Sequence, residues 1–259
     1  MRSFLVLAVI GVTLSGCNPG GREAGRLRDA CEAGDATACH AFGRKLQRGE
    51  YVLRDQARAA GLFARACEGG VADGCVRLGV MLEDGEAVDK DLERAAGLYR
   101  QGCDGGVMEG CTRLGTLYRK GTGVTEDLAR AAGLFERACE GEVVAACLEL
   151  GRLYGAGAGV ARDPARAATL YQRVCDAEDQ AGCFQLANMY AGGEGVAQDL
   201  AHAAALYDQA CEDRHAEACY SLGVLHQNGT GIPRDPARAA ALIRRACRLG
   251  YSEACPRES

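Results

Sequence analysis

The sequence has no tryptophan, only four histidines and no run of basic residues. Acidic residues outnumber basic ones by 35 to 30, so the surface lacks the excess positive charge that neutralises nucleic-acid phosphates. We therefore expect no nucleic-acid partner. After residue 16 no apolar run is long enough to span a bilayer, which excludes an integral membrane domain in that part of the chain.

Motifs for catalysis and metal binding are also missing. The histidines, His40, His202, His215 and His226, form neither an H-x-H nor an H-E-x-x-H motif. We interpret His202 as exposed and His226 as a packed core residue. No Cys-x-x-Cys pair, the spacing typical of redox-active cysteines, occurs. We expect no cofactor and no bound metal, and no catalytic residue is recognisable.

Cysteine, in contrast, is abundant, with 15 residues. Residues 1–16 have a basic start and an apolar run, which predicts a signal peptide. The letters LSGC at 14–17 resemble a bacterial lipobox, which implies cleavage before Cys17, a lipid on its thiol and a lipidated tether over 17–21. The alternative is a cleaved signal peptide with an incidental cysteine. We predict an exported protein, held in the periplasm or at the outer membrane as a lipoprotein, or displayed on the cell surface.

The other 14 cysteines follow a strict repeat. The first members of seven pairs are 36 residues apart, and each second member comes eight positions after the first. An unbroken period of this length indicates a stacked array of similar units. We predict six repeats over 36–249, preceded by a capping helix over 22–35 and followed by a truncated repeat over 250–259.

Each repeat carries signals for two helices. One helix starts after an aspartate that can cap its N-terminus, and it ends near the first cysteine. These aspartates are Asp55, Asp91, Asp127, Asp163, Asp199 and Asp235. The other helix carries the second cysteine and a Leu-Gly pair, and it ends at a glycine. We predict an all-α fold, a right-handed αα-hairpin solenoid of 36-residue repeats.

The connectors between repeats, such as GTGV at 121–124, contain a G-x-G motif. No strand signal precedes them and no Lys-Ser or Lys-Thr follows, so we interpret them as helix–helix turns rather than as phosphate cradles. The first two connectors, at 48–52 and 84–88, lack the second glycine, and we expect them to differ in shape.

An even number of cysteines in an exported protein indicates disulfides. Equivalent positions of neighbouring units lie about 8–10 Å apart, which is too far for a disulfide, whereas a short turn brings the two members of a pair together. We therefore predict seven local bridges that staple adjoining hairpins: Cys31–Cys39, Cys67–Cys75, Cys103–Cys111, Cys139–Cys147, Cys175–Cys183, Cys211–Cys219 and Cys247–Cys255. Zinc is the weaker alternative, because zinc sites favour cysteines two to four residues apart.

The segment 146–171, ACLELGRLYGAGAGVARDPARAATLY, resembles the SEL-type (Sel-one-like) repeat, a relative of the tetratricopeptide repeat. The cysteine pairs at this spacing resemble the cysteine-rich Helicobacter-type branch of that family. The resemblance to this branch implies β-lactamase or penicillin-binding activity. The residues do not support it, because the Ser-x-x-Lys motif of serine β-lactamases is absent.

In tetratricopeptide-like solenoids the first helix of each hairpin lines the concave face. Two columns beside the Leu-Gly pair are expected to point there, and their chemistry varies between repeats. They are His40, Arg44, Val76, Val80, Thr112, Thr116, Leu148, Arg152, Phe184, Asn188, Tyr220 and Val224. Leu148, Phe184 and Tyr220 would form an apolar row; the alternative for each single position is surface variation without function.

These observations favour a lipid-anchored scaffold that binds a protein, a peptide or a peptidoglycan-like cell-wall fragment in a concave groove. We expect it to be a monomer that contacts the membrane only through its N-terminal lipid. Two alternatives remain open at this point: a β-lactam-hydrolysing or penicillin-binding enzyme, as the resemblance implies, and a purely structural spacer of the envelope.

Overall fold

The computed structural model describes residues 19–255, which fold into consecutive α-helices without a strand. The helices are α1 (Pro19–Glu32), α2 (Ala36–Arg48), α3 (Gln56–Glu68), α4 (Ala72–Asp84), α5 (Leu92–Asp104), α6 (Met108–Lys120), α7 (Leu128–Glu140), α8 (Val144–Ala156), α9 (Pro164–Asp176), α10 (Gln180–Gly192), α11 (Leu200–Glu212), α12 (Ala216–Asn228) and α13 (Pro236–Arg248). The predicted signal peptide and Cys17 lie outside the described residues. Within these, every helix is too short or too polar to cross a membrane.

The described residues divide into two compact units, and the division falls between Val107 and Met108. We call the part before it unit 1 and the part after it unit 2. Both contain the same αα-hairpin, so the predicted all-α repeat fold is confirmed. We call the helices that carry the second cysteine of a pair the A-helices (α2, α4, α6, α8, α10 and α12). The helices that follow them, and carry the next first cysteine, are the B-helices (α3, α5, α7, α9, α11 and α13).

Both ends of the described chain differ from the prediction. Helix α1 begins at Pro19 rather than at residue 22, so the end of the expected tether is helical. Proline suits the first helical position, and the ring of Tyr51 packs over Gly20, where a Cβ would lie only 2.6 Å from ring atoms. At the other end, a 3₁₀ turn at Ser252–Ala254 replaces the expected truncated helix.

The aspartate caps of the B-helices form as predicted. In α3, for example, a carboxylate oxygen of Asp55 accepts a hydrogen bond of 2.9 Å from the backbone N–H of Arg58. The same bond recurs in α5, α7, α9, α11 and α13. Each cap satisfies a backbone donor that the first helical turn leaves unpaired, which is why an aspartate marks every repeat.

In most hairpins the glycine of the Leu-Gly pair packs against the B-helix, and in α10 the buried Ala187 takes this position. A Cβ at Gly79 would lie 2.7 Å from the ring of Tyr99, and a Cβ at Gly151 would lie 2.6 Å from the ring of Tyr171. Both distances are below van der Waals contact, so at these two positions a larger residue would push the aromatic ring of the B-helix away from the A-helix backbone. Buried alanine pairs such as Ala95 and Ala96 add little volume and also allow close helix approach.

The first two connectors keep the conformation of the others, contrary to the expectation that they would differ. Gly123 and Gly159 have a φ of 72°, and the residues in the same position of the first two connectors, Tyr51 and Ala87, have a φ of 61°. A side chain in this left-handed region costs about 1–2 kcal/mol. Packing of the flanking helices therefore determines the turn, and glycine only makes it less costly.

The disulfides lie where each B-helix, or α1, is followed by the next A-helix. Their Cα atoms are 4.5–4.9 Å apart in Cys31–Cys39, Cys67–Cys75, Cys139–Cys147, Cys175–Cys183, Cys211–Cys219 and Cys247–Cys255. Cys103 and Cys111 are disulfide-bonded as well. The repeat fold is therefore disulfide-stapled, as the sequence predicts.

The A-helices are capped less uniformly than the B-helices. Asp35 and Asp179 cap α2 and α10, but Val71 and Val143 offer no side-chain cap to α4 and α8. At α12 the cap is His215, whose Nδ1 accepts from the backbone N–H of Ala218 at 3.3 Å. Burial lowers the pKa of His215, and the nearby charges of Glu217 and Asp179 oppose that effect only in part.

Removing one bridge should lower the stability by an amount set by its loop. The paired cysteines are eight positions apart, so each bridge closes a short loop. For the double variant Cys139→Ala/Cys147→Ala, the chain-entropy model gives a decrease of about 2.5 kcal/mol in the free energy of unfolding. Urea unfolding of the oxidised proteins measures it. The double replacement of Cys211 and Cys219, with the same separation, should cost the same amount. An unchanged urea midpoint in both variants would contradict a stabilising role of the bridges.

The cap at His215 should make the protein less stable in acid. Its pKa is lowered in the folded state, so the unfolded chain takes up the proton more readily below the ordinary histidine pKa of about 6.5. The stabilisation from neutral His215 is therefore full above that pH and is lost as the pH falls through the folded-state pKa. We expect the urea midpoint to fall less between pH 7.5 and pH 5 in His215→Asn, since asparagine also caps helices. The exposed His202→Asn is the matched control, and an equal fall in all three proteins would refute the prediction.

Candidate binding surface

The two columns predicted to bind a ligand lie on the A-helices, one position and five positions after the second cysteine. We call the surface that these columns form in each unit the A-face. In unit 1 it comprises positions on α2 and α4, and in unit 2 positions on α6, α8, α10 and α12. Most of these side chains are partly or fully exposed, but two of the predicted ones are not.

Phe184 and Val76 are corrections to the predicted surface. Phe184 is buried, with its ring stacked on His215 at a centroid distance of 4.4 Å and tilted against Tyr207 at 5.9 Å. Val76 is also buried, and its side chain occupies the space beside Gly102. Val76 therefore packs the two helices of its own hairpin together, and Phe184 packs against Tyr207 and the start of the next A-helix. The expected apolar row from Leu148 to Tyr220 is interrupted at Phe184.

In unit 1 the A-face brings a histidine and an aspartate of neighbouring hairpins close together. Nε2 of His40 on α2 lies 2.6 Å from Oδ2 of Asp73 on α4, although its ring N–H is not aligned for a hydrogen bond. Asp73 also accepts a hydrogen bond of 3.0 Å from Arg77. Burial lowers the pKa of His40 more than Asp73 raises it. The predicted position Arg44 is half-buried on the same face.

In unit 2 the threonines of α6 are bonded to their own helix. The hydroxyl of Thr112 donates to the carbonyl of Met108, and that of Thr116 donates to the carbonyl of Thr112, both at 3.0 Å. Their hydroxyl hydrogens are therefore already used, and the oxygens can only accept from a ligand. The remaining predicted residues Leu148 and Val224 are half-exposed, which adds further apolar surface.

A charge network links α6 to α8 on this face. Glu149 lies 3.3 Å from Nε of Arg119 and accepts a hydrogen bond of 2.6 Å from Arg152. One carboxylate thus serves two guanidinium groups, which leaves this part of the surface with excess positive charge. Arg152 is exposed, as predicted, and its remaining N–H groups can reach a ligand.

The structure adds a pocket that the sequence does not reveal. It has a volume of about 340 Å³ and lies in unit 2 between α8 and α10, with the B-helix residue Tyr171 also in its lining. The predicted residues Arg152 and Asn188 belong to it, together with Gln185 and Gly155. Sequence patterns missed Tyr171 because an aromatic residue in that column is otherwise a core residue.

The histidines form no catalytic constellation among residues 19–255. His202 is exposed, as predicted, and meets Tyr190 edge-to-face at 4.4 Å. His226 is half-exposed and its Nδ1 lies 3.4 Å from the carbonyl of Pro233, so the prediction of a packed core residue is wrong. In this part of the chain no three potential ligand side chains converge on a metal position.

Comparison with solved structures supports the fold. The chain is similar to c5321, a protective antigen of uropathogenic Escherichia coli with an SLR fold, at 25% identity and a TM-score of 0.58. The match covers 89% of this chain but only 57% of the length of c5321. A Sel1 repeat protein from Oxalobacter formigenes matches with 22% identity and a TM-score of 0.72, over 86% of this chain and 96% of that protein.

Cysteine rich protein B of Helicobacter pylori is 28% identical over 48% of this chain and 94% of its own length, with a TM-score of 0.40. No curated protein matches the sequence. The model of the Sel1 repeat matches six segments, 36–71, 72–107, 109–142, 144–179, 180–215 and 216–251. These segments make up most of the sequence and coincide with the hairpins of the structure. The chain belongs to the Sel1 repeat family.

Proposed function

We propose that this protein is an exported, lipid-anchored scaffold that binds a protein or peptide on its A-face. Sel1 repeats form scaffolds typical of protein–protein interaction. The observation that carries the proposal is the contrast between columns of the repeat. At the positions where the helices pack against each other, the same type of residue recurs from repeat to repeat. In contrast, a single A-face column contains His40, Thr112, Leu148 and Tyr220. A constant framework with variable outer side chains suits recognition of an extended partner.

The surface chemistry favours a protein or peptide over the peptidoglycan-like fragment that the sequence also allowed. Half-exposed apolar groups such as Leu148 and Val224 alternate with the guanidinium of Arg152 and the amide of Asn188. A peptide offers matching apolar side chains, charges and main-chain groups. We propose that a monomer presents this surface, because each hairpin finds its packing partner in the neighbouring hairpin of its own unit.

Export is supported by the redox state of the cysteines. All 14 cysteines among the described residues are disulfide-bonded, a condition that persists outside the reducing cytosol. The N-terminal residues that resemble a lipobox support attachment through Cys17. We do not propose the β-lactamase activity that the resemblance implied, because no described cluster of side chains supports it.

Site-specific photocrosslinking tests the binding surface. Thr116 on the A-helix α6 and Thr169 on the B-helix α9 are a matched pair, since both hydroxyls bond the carbonyl of their own preceding turn. We expect p-benzoylphenylalanine at Thr116 or Val224 to give a discrete adduct in intact cells, and the same group at Thr169 to give none. Adducts from Thr169 alone, or none from either A-face position, would count against the proposed surface.

Replacement of Cys17 tests the anchor. Cys17→Ser should abolish incorporation of a radiolabelled fatty acid, because the thiol of Cys17 is the only lipid attachment we propose. The disulfides should stay intact, which alkylation under non-reducing conditions checks. Unchanged labelling of the variant would exclude Cys17 as the lipidated residue.

A further inference from the structure

Three repeats have a tyrosine at the same B-helix position, four residues before the first cysteine. The hydrogen-bond partners of the three hydroxyl groups differ. The hydroxyl of Tyr99 donates to a carboxylate oxygen of Glu83 at 2.5 Å. The hydroxyl of Tyr207 donates to Oδ1 of Asn188 at 2.6 Å. Tyr171 is only 6% exposed, yet its hydroxyl has no hydrogen-bond partner in the structure.

The reason is one residue on the facing A-helix. Gly155 occupies the position in α8 that corresponds to Glu83 in α4, two repeats earlier. A Cβ on Gly155 would lie 4.0 Å from Oη of Tyr171 and 3.8 Å from Cβ of Ala167, so a longer side chain has room there. The glycine therefore removes the carboxylate that satisfies Tyr99 and leaves a pocket in front of Tyr171.

The pocket retains the groups that would recognise a carboxylate. Burial raises the pKa of Tyr171 to about 12, so its hydroxyl remains a donor at neutral pH. The guanidinium of Arg152 lines the pocket, as do the amides of Gln185 and Asn188. Asn188 uses its oxygen to accept from Tyr207, which leaves its NH₂ group to donate.

The charge around the pocket also favours an anion. Arg152 shares the single carboxylate of Glu149 with Arg119, so the three groups together carry one excess positive charge. The other acidic residue of the lining, Glu194, is paired with Arg162 at 3.2 Å. An incoming carboxylate would therefore meet donors and a net positive field rather than an unpaired acid.

We propose that the pocket of Tyr171, Arg152 and Asn188 binds a carboxylate group of a peptide partner, in the place that Glu83 fills for Tyr99. This proposal rests on the proposed function and names one contact within it. The carboxylate comes from the C-terminus of the partner or from an acidic side chain; both have the same chemistry. The hydroxyl of Tyr171 lines the open pocket, and a bound carboxylate would accept a charge-assisted hydrogen bond from it.

Tyrosine NMR on the full mature chain tests the proposal without knowledge of the partner. The protein carries ¹³C in its tyrosine rings, and the signal of Tyr171 is assigned by its loss in Tyr171→Phe. Three probes are titrated: N-acetylglycine for a C-terminus, N-acetylglutamic acid α-amide for an acidic side chain, and N-acetylglycinamide as the neutral control. We expect the Tyr171 signal to shift saturably with one or both carboxylates and to remain in place with the neutral amide.

Gly155→Glu provides the variant that should block the pocket from within. Its carboxylate would accept from Tyr171 as Glu83 does from Tyr99, and the apparent affinity for the probe should fall about tenfold or more, the worth of a charged hydrogen bond. Gly133→Glu is the control, because it adds the same charge on α7 where a Cβ meets nothing within 4 Å.

Three results would overturn the proposal: no saturable shift with either carboxylate, an equal shift with N-acetylglycinamide, or unchanged affinity in a folded Gly155→Glu protein. Thermal unfolding shows whether that variant is folded. Failure here leaves the A-face proposal standing if Thr116 still crosslinks to a partner. Loss of the crosslink with a retained carboxylate shift would instead reject the A-face while keeping the pocket.

Discussion

The fold depends on a short covalent link between the end of one helix and the first turn of the next. Cysteines eight positions apart leave room for one turn only, so each disulfide fixes the angle at which an A-helix follows its predecessor. The helices themselves are rich in alanine and glycine and bury little apolar area per residue. The disulfides therefore provide stability that a larger aromatic core would otherwise provide.

This framework separates positions that must pack from positions that can vary. At Gly79 and Gly151 a Cβ would collide with the ring of the facing tyrosine, so these positions favour glycine. A residue such as Gly155, one turn further along α8, meets only ordinary contacts. A substitution at a position such as Gly155 changes the surface without disturbing the packing of the hairpin. The glycine at this position leaves the pocket beside Tyr171 open.

The sequence predicts the repeat well because its signals are local. An aspartate cap or a glycine terminus requires only a few consecutive residues, and the caps at Asp55 and Gly85 form as expected. The surface is predicted less well because exposure depends on neighbouring hairpins. Phe184 is buried because Tyr207 and His215, the N-cap of the next A-helix, lie against its ring. The unpaired hydroxyl of Tyr171 depends on a glycine 16 positions earlier, and no motif describes that relation.

Peptide mapping of the exported protein under non-reducing conditions tests the central claim most directly. The protein is alkylated, digested without reductant and analysed by mass spectrometry. The account predicts that every disulfide-linked peptide joins cysteines eight positions apart and that no cysteine among residues 19–255 is alkylated. Bridges between cysteines 36 positions apart, or a large fraction of alkylated cysteines, would contradict it.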